Sequence, residues 1–259
     1  MDWSRTKTIF IVTFMLLNIF LGYQLSEKQS QLNEVTLPEL ESRIEEQEIN
    51  ILIEDLEEEF MGAPITAYQR TFQEVLIEQT LESQTPQFLD ETTIYSVLDS
   101  PYRLPNVNLQ ASVDAFLQQY VFRGEEYEVA LYDEEAGIVG IYQTFDGKKI
   151  DEYEREDFHI TLELNEEGDI MAYTQRYMNI TEQGEEQELL TPIAVIEKLL
   201  NDTRVGIGAG SEVTSAELGY YNLMEVEANF QIFAPVWRVI IDEEEHYVNA
   251  MTGEVQRIS

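Results

Sequence analysis

The sequence of 259 residues contains no cysteine and only two histidines. Without a thiol, the chain cannot form disulfides, zinc–thiolate sites or a cysteine nucleophile. Two histidines leave little material for histidine-based acid–base chemistry or for a histidine-rich metal site. These shortages exclude several kinds of scaffold and active site before any motif is considered.

Basic residues are also scarce. The chain has 15 lysines and arginines against 51 aspartates and glutamates, which gives a net charge of −36. Such a surface repels the phosphates of DNA and RNA, so we expect no nucleic-acid partner. Twelve of the acidic residues lie between residues 27 and 59, and a charge run of this kind is typical of a solvated face.

The N-terminal region has one long uncharged stretch, residues 8–26. As a helix, residues 8–25 would span about 27 Å, close to the roughly 30 Å thickness of a bilayer's hydrocarbon core. The sequence GYQL at residues 22–25 is not a small-residue cleavage site, and a lipobox is impossible without cysteine. The pattern therefore favours a retained signal-anchor helix over a cleaved signal peptide.

The charges that flank this stretch predict its orientation. Arg5 and Lys7 precede the helix, and an acidic segment follows it. By the positive-inside rule, residues 1–7 lie in the cytoplasm and the residues after the helix lie outside the cell. We therefore expect a single-pass protein of the cell membrane, held in the lipid bilayer by residues 8–25.

One side of the predicted transmembrane helix has heptad-like spacing and could contact a partner helix. We call this side the seam, and its residues are Ile11, Met15, Asn18, Gly22 and Leu25. Asn18 matters most, because a carboxamide facing lipid is costly, whereas an interhelical hydrogen bond contributes roughly 0.5–2 kcal/mol. The alternative is that a single-pass anchor tolerates one asparagine, as it tolerates Thr13, whose hydroxyl can bond back to its own helix.

The remaining residues divide into a linker and two folded segments. Residues 26–48 are polar and acidic and are typical of a stalk or linker. Residues 49–188 and residues 189–259 each have the pattern of a helix followed by antiparallel strands. We predict an α+β fold with two exported domains that have these boundaries.

Several local patterns predict individual elements of these domains. Ser112 is expected to cap one helix, and Thr191 to cap another that begins with Pro192. The pair Asp146-Gly147 is typical of a hairpin turn between two strands. Alternation over residues 158–164 predicts a strand with Phe158, Ile160, Leu162 and Leu164 facing inward and His159 facing solvent.

The candidates for chemistry are weak. The glycine-rich loop at residues 205–211 follows a helix and lacks the Lys-Ser/Thr of a phosphate-binding loop, which favours a flexible connection. His159 and His246 lie beside acidic residues, but without metal-binding spacing we interpret both as solvated strand residues. The acidic segments lack a calcium-loop motif. We therefore expect no catalytic residue, no metal and no cofactor.

The two ends of the chain carry a resemblance to a known family. The N-terminal sequence MDWSRTKTIFIVTFMLLNIFLGYQL resembles the N-terminus of the YycI family. The sequence FAPVWRVIIDEEEHYVNAMTGEV, residues 233–255, resembles that family's C-terminal signature and, more distantly, a PepSY module. Within it, Trp237 and Tyr247 would pack the sheet, Asn249 would brace a turn, and Gly253 would allow a positive φ.

This resemblance implies a membrane-anchored regulatory protein of Gram-positive bacteria, without enzymatic activity. YycI-like proteins act with a sister protein, YycH, on the sensor histidine kinase YycG, also called WalK. That kinase belongs to the YycFG (WalRK) two-component regulatory system, which controls cell wall metabolism. The resemblance further implies contacts with transmembrane helices of the kinase and extracellular domains similar to part of YycH.

The residues leave two alternatives open. One is a surface-tethered protease inhibitor or enzyme, whose function would lie in the exported domains. The other is a surface protein that buffers cations through its acidic residues.

Overall fold

The computed structural model describes residues 3–33, 42, 44, 46, 48–56, 58–73, 81–105, 108–151, 158–222 and 230–256. The α-helices whose bounds lie within these residues are α1 (Trp3–Asn33), α2 (Leu109–Tyr120) and α3 (Pro192–Asn201). The strands are β1 (Asn50–Ile51), β2 (Met61–Gly62), β3 (Ile65–Gln69), β4 (Gln84–Phe88), β5 (Thr93–Tyr102), β6 (Tyr127–Asp133), β7 (Ile138–Phe145), β8 (Lys148–Asp151), β9 (Ile160–Leu164), β10 (Ile170–Arg176), β11 (Met178–Glu182), β12 (Gln187–Glu188), β13 (Glu212–Asn222), β14 (Phe230–Ile241), β15 (Glu244–Asn249) and β16 (Val255–Gln256). The predicted α+β class is confirmed.

The chain folds into two compact units that are discontinuous in sequence. The smaller unit comprises Met1–Met61, Glu188–Ala216 and Trp237–Arg257. The larger unit comprises Gly62–Gln187 and Glu217–Val236, together with the last two residues. The division into successive domains at residues 49–188 and 189–259 stays a prediction.

The larger unit is built on one long sheet with the strand order β11-β3-β14-β13-β8-β7-β9-β10-β5-β4, and β6 pairs with β7. Most neighbouring strands are antiparallel, as in the pairs β10–β9 and β4–β5. The pair β13–β8 is parallel, with Tyr220 opposite Ile150. Hairpins between consecutive strands explain the antiparallel majority, because such strands need only short turns.

Helix α2 covers one face of this sheet and creates the main core of the larger unit. Val113, Phe116 and Leu117 are fully buried and lie on the side of α2 that faces the strands. The Phe116 ring meets the Tyr173 ring of β10 edge to face, with the centroids 5.9 Å apart. This helical face repeats at three- and four-residue intervals, as an amphipathic helix requires.

The cap of helix α2 differs from the prediction. The helix begins at Leu109, and its N-cap is Asn108, whose Oδ1 accepts a hydrogen bond from the Ala111 backbone N–H at 3.4 Å. Ser112 lies one turn into the helix and donates its hydroxyl to the Asn108 carbonyl oxygen at 3.1 Å. Asn108 adopts a left-handed φ of 63°, which asparagine tolerates better than most residues.

The predicted hairpin turn between β7 and β8 is confirmed. Asp146 and Gly147 have φ values of 50° and 70°, as a two-residue type I′ turn demands. The turn between β9 and β10 is held by Asn165, whose Oδ1 accepts from the backbone N–H groups of Glu167 and Asp169, each at 2.9 Å. Both turns join strands of the larger unit.

In the segment 158–164 the predicted burial of Phe158 is confirmed, but the predicted start of the strand and the solvent exposure of His159 were wrong. Strand β9 starts only at Ile160, and a bend at His159 breaks the alternation. Phe158 therefore packs over Gly140, where a Cβ would lie 2.5 Å from its ring, while Val139 and Ile141 face the α2 core. His159 is 2% exposed instead of solvated.

The smaller unit contains helix α3, the first part of β13 up to Ala216, and the last part of β14 from Trp237 onward. Strand β1 pairs in parallel with β13, with Asn50 opposite Glu212, and β15 pairs with both β14 and β16. Helix α3 begins at Pro192, and Thr191 caps it through a hydrogen bond from the Ala194 backbone N–H to the threonine hydroxyl. Both features of this helix N-terminus were predicted and are confirmed.

Candidate partner-helix interface

Helix α1 is the element that the sequence connects most directly with function. It has 31 residues, which corresponds to about 46 Å of helix. Its apolar window, Lys7–Gln24, has 18 residues, none buried by the described parts of the chain, and is long and apolar enough to cross a membrane. The helix continues past residue 25 into the segment that the sequence assigns to the linker.

Between residues 9 and 22 this window contains two polar side chains, and they differ in their hydrogen bonding. The Thr13 hydroxyl donates to the Ile9 carbonyl oxygen at 2.9 Å, so its polar group is satisfied within the helix, as predicted. The Asn18 carboxamide is exposed, and no hydrogen bond joins it to any described residue. An asparagine of this kind has to find its partner outside its own helix if lipid surrounds it.

The other seam residues share this exposure. Ile11 and Met15 are 67% and 64% exposed. A Cβ added at Gly22 would meet no atom within 4 Å, so the backbone there is open to close approach by another helix. Leu25 belongs to the same continuous helix, although its side chain lies outside the described ones. At about 100° per residue, the five seam positions fall within one narrow arc of the helix.

Trp237, one of the four residues singled out in the C-terminal signature, is a core residue of the smaller unit. It is 2% exposed, and its indole Nε1 donates to the Leu190 carbonyl oxygen at 2.8 Å. The Phe60 ring meets the Trp237 ring edge to face, with the centroids 5.1 Å apart. A buried tryptophan with a satisfied N–H is a packing residue and offers no surface for a ligand.

Tyr247 is also buried, and it joins a small polar network. Its hydroxyl donates to Glu245 Oε2 at 2.7 Å, while Arg238 Nη2 donates to Glu245 Oε1 at 2.6 Å. Glu245 thus holds two neighbouring side chains with its two oxygens. Charge-assisted bonds of this geometry are stronger than neutral ones and fix the side chains of this hairpin.

Asn249 and Gly253 shape the turn between β15 and β16. Asn249 Oδ1 accepts from the backbone N–H groups of Met251 and Thr252 at 2.9 and 3.0 Å. Gly253 has a φ of 72°, and its N–H donates to the Asn249 carbonyl oxygen at 2.8 Å. The Lys198 side chain crosses directly above Gly253, where a Cβ would lie 2.4 Å from Cε. The four signature residues therefore pack the core of the smaller unit or shape its last turn.

The structure buries one of the two histidines fully and the other in part. Nδ1 of His159 accepts from the backbone N–H of Gln143 at 3.0 Å. His246 is half-buried, and burial lowers its pKa while the nearby Glu244 opposes that shift. Neither is the solvated residue that the sequence predicted. The described residues contain no group of three or more His, Asp or Glu side chains that could hold a metal ion.

An N-terminal helix long and apolar enough to cross a membrane, followed by folded α+β units, is consistent with a protein that has a single-pass membrane anchor. Family comparison makes the assignment specific, because the model of the YycI protein family matches residues 27–251. The chain therefore belongs to the YycI family, a family of regulatory proteins. No curated protein sequence matches the chain.

Two solved structures are similar to this chain at low identity. The first is an uncharacterised protein from Eubacterium rectale ATCC 33656, with 12% identity and a TM-score of 0.49, covering 77% of this chain and 87% of that one. The second is YycH from Bacillus subtilis, with 14% identity and a TM-score of 0.38, covering 71% of this chain and 52% of that one. This chain thus spans about half of the YycH structure.

Proposed function

We propose that this chain is a single-pass accessory regulator of a YycG/WalK-type sensor histidine kinase. It acts together with a YycH-like protein, and contacts between transmembrane helices carry its effect. The first seven residues lie in the cytoplasm, and the folded units lie outside the cell. Membership of the YycI family supports the regulatory role. The observation that carries the proposed mode of action is an apolar helix with an exposed asparagine on its seam.

The coupling that this mode of action requires is small. A tenfold bias of a two-state kinase corresponds to about 1.4 kcal/mol of differential packing. One interhelical hydrogen bond from Asn18 contributes roughly 0.5–2 kcal/mol, and packing of a neighbouring helix against Gly22 adds to it. The seam is therefore large enough to shift the kinase without any contact from the folded units.

The first experiment replaces Asn18 with leucine and measures a reporter gene controlled by the kinase. Asn18→Leu removes the interhelical donor and acceptor, so we expect reporter output to change severalfold while the melting temperature of the folded units stays the same. Thr13→Leu is the matched control. This substitution also removes a polar group from the helix, but Thr13 lies on the opposite side, about 160° from the seam.

A second pair of variants tests packing instead of hydrogen bonding. Gly22→Ile adds a branched side chain where the structure leaves room for a close neighbour, and we expect it to change the reporter output as well. Phe20→Ile, on the far side of the helix, is expected to leave the output unchanged. If the reporter ignores both seam variants, or if a chain without residues 3–25 regulates fully, the proposed mode of action fails.

The lack of cysteine provides a direct test of topology. A single cysteine introduced as Glu134→Cys lies on an exposed turn, and one introduced as Ser4→Cys lies near the N-terminus. On intact cells, a membrane-impermeant maleimide is expected to label the first variant and to spare the second. Labelling of Ser4→Cys in unbroken cells would contradict a cytoplasmic N-terminus.

A further inference from the structure

Strand β11 is the last strand in the order of this sheet, and no other described strand pairs with its outer edge. We call this the open edge. The Arg70 backbone N–H donates to the Tyr177 carbonyl oxygen, and the Gln183 N–H donates to the Pro64 carbonyl oxygen, so alternate pairs bond to β3. In an antiparallel ladder, the residues between those pairs direct their N–H and C=O groups away from the neighbour. On β11 these residues are Met178, Ile180 and Glu182.

At the first of these outward positions, Met178, the backbone groups are hydrogen-bonded to a side chain instead of to another strand. The buried Gln143 side chain donates from Nε2 to the Met178 carbonyl oxygen at 2.9 Å and accepts at Oε1 from the Met178 N–H at 2.8 Å. A single amide side chain thus reproduces the two hydrogen bonds that a paired strand would make. The backbone groups of Ile180 and Glu182 that point the same way bond to no described residue.

The opposite end of the same sheet is protected. Leu89 donates to the Thr93 carbonyl oxygen and Asp99 to the Ser83 carbonyl oxygen, which places Pro86 among the outward residues of β4. Proline has no N–H to offer, and proline on an edge strand is a common defence against pairing with another chain. Over its described residues the sheet therefore blocks one edge and leaves the other able to pair.

The charges around the open edge indicate which strand would pair there. Ile180 packs against a core that includes Tyr220. Burial, together with the negative charges of Glu182, Asp146 and Glu186, raises the pKa of Tyr220 to about 12. Three carboxylates therefore lie around Tyr220, and one of them belongs to β11 itself. A second copy of this chain would bring the same acidic residues to the edge and be repelled.

We propose that the outer edge of β11 at Ile180 and Glu182 binds an extended, lysine- or arginine-bearing segment of a partner protein by strand addition. The backbone groups of the two residues supply the ladder hydrogen bonds, and the surrounding carboxylates select a basic segment. This surface is separate from the seam of helix α1 and does not depend on the proposed kinase regulation.

The test uses the full chain in detergent micelles and two end-blocked peptides. The probe has the sequence Thr-Lys-Val-Lys-Val-Lys-Thr, and the control has glutamate in place of each lysine. We expect the lysine peptide to slow hydrogen exchange at the Ile180 and Glu182 amides roughly tenfold. Glu182→Pro, which removes an outward N–H without breaking a bond to β3, is expected to abolish this protection. Glu182→Val keeps the N–H and is expected to reduce the preference for lysine.

Four results would overturn the proposal. They are the absence of protection at millimolar peptide, equal binding of the glutamate peptide, undiminished binding by folded Glu182→Pro, and protection that grows with protein concentration alone. Melting curves establish whether Glu182→Pro is folded. If it is not, a lysine peptide N-methylated at a central valine provides the same test on the unaltered chain and is expected not to bind.

Discussion

The indole N–H of Trp237 donates to the carbonyl oxygen of Leu190, and this 2.8 Å bond joins β14 to the residue that precedes the Thr191 cap of helix α3. Trp237→Phe would leave a buried carbonyl without this donor. We expect the free energy of unfolding to fall by about 1–3 kcal/mol, measured by urea denaturation. Trp3→Phe is the matched control, because Trp3 is 70% exposed on helix α1 and the same change there removes no buried hydrogen bond. Equal stability of the two variants would contradict this role.

The absence of a side chain at Gly140 leaves room for the ring of Phe158. A Cβ at this position would overlap the Phe158 ring at 2.5 Å, so Gly140→Ala is expected to destabilise the larger unit by about 1–3 kcal/mol. Gly208→Ala, where a Cβ would meet nothing within 4 Å, serves as the control. Adding Phe158→Leu should recover part of the loss in a double-mutant cycle. Additive effects of the two changes would show that the overlap is not the cause.

Asp242 makes stability depend on pH. Hydrogen bonds from Ser211 and from the Glu212 backbone N–H lower the pKa of its carboxyl, because they favour the charged form. The charged Asp242 carboxylate therefore stabilises the folded chain at any pH above the ordinary aspartate pKa, near 4. This stabilisation is lost as the pH falls through the lowered pKa of Asp242. In melting curves between about pH 6 and pH 3, Asp242→Asn should lose less stability on acidification than the unaltered chain. Asp99→Asn, an exposed control, should follow the unaltered chain.

Glu243 occupies a backbone conformation that suits glycine. Asp242 and Glu243 have φ values of 50° and 68°, close to those of Asp146 and Gly147 in the other two-residue turn. A non-glycine residue with this φ carries strain of about 1 kcal/mol. Glu243→Gly is expected to raise the melting temperature by a few degrees. Glu244→Gly, one residue into strand β15, is expected to lower it instead.

Local sequence signals predicted those elements whose form depends on a few adjacent residues. Thr191 and Pro192 start helix α3, and Asp146-Gly147 forms the β7–β8 turn, because cap and turn chemistry act within three or four residues. Asn108 could have been recognised as the α2 cap, since it precedes the helix and asparagine is among the strongest capping residues. Ser112 offered a competing signal nearer the apolar face.

Other features depend on residues far apart in sequence and could not be read locally. Burial of His159 follows from a bend and from the Tyr142 ring, 5.7 Å away across the sheet. The bond between Gln143 and Met178 joins residues 35 positions apart. Pro86 did carry a usable signal, because proline inside a strand pattern indicates an edge strand. The seam of helix α1 rests on spacing alone, and it stays a prediction until a partner helix is identified.

The measurement that tests the central claim most directly is a photo-cross-linking scan of helix α1 in living cells. One residue at a time is replaced by a photoreactive amino acid, and cross-links to the sensor kinase and to the YycH-like protein are detected. The account predicts cross-links at Ile11, Met15, Asn18 and Gly22 and none at Thr13, Leu17 or Phe20. Equal cross-linking around the whole helix, or recovery of the protein from the medium without its first residues, would contradict it.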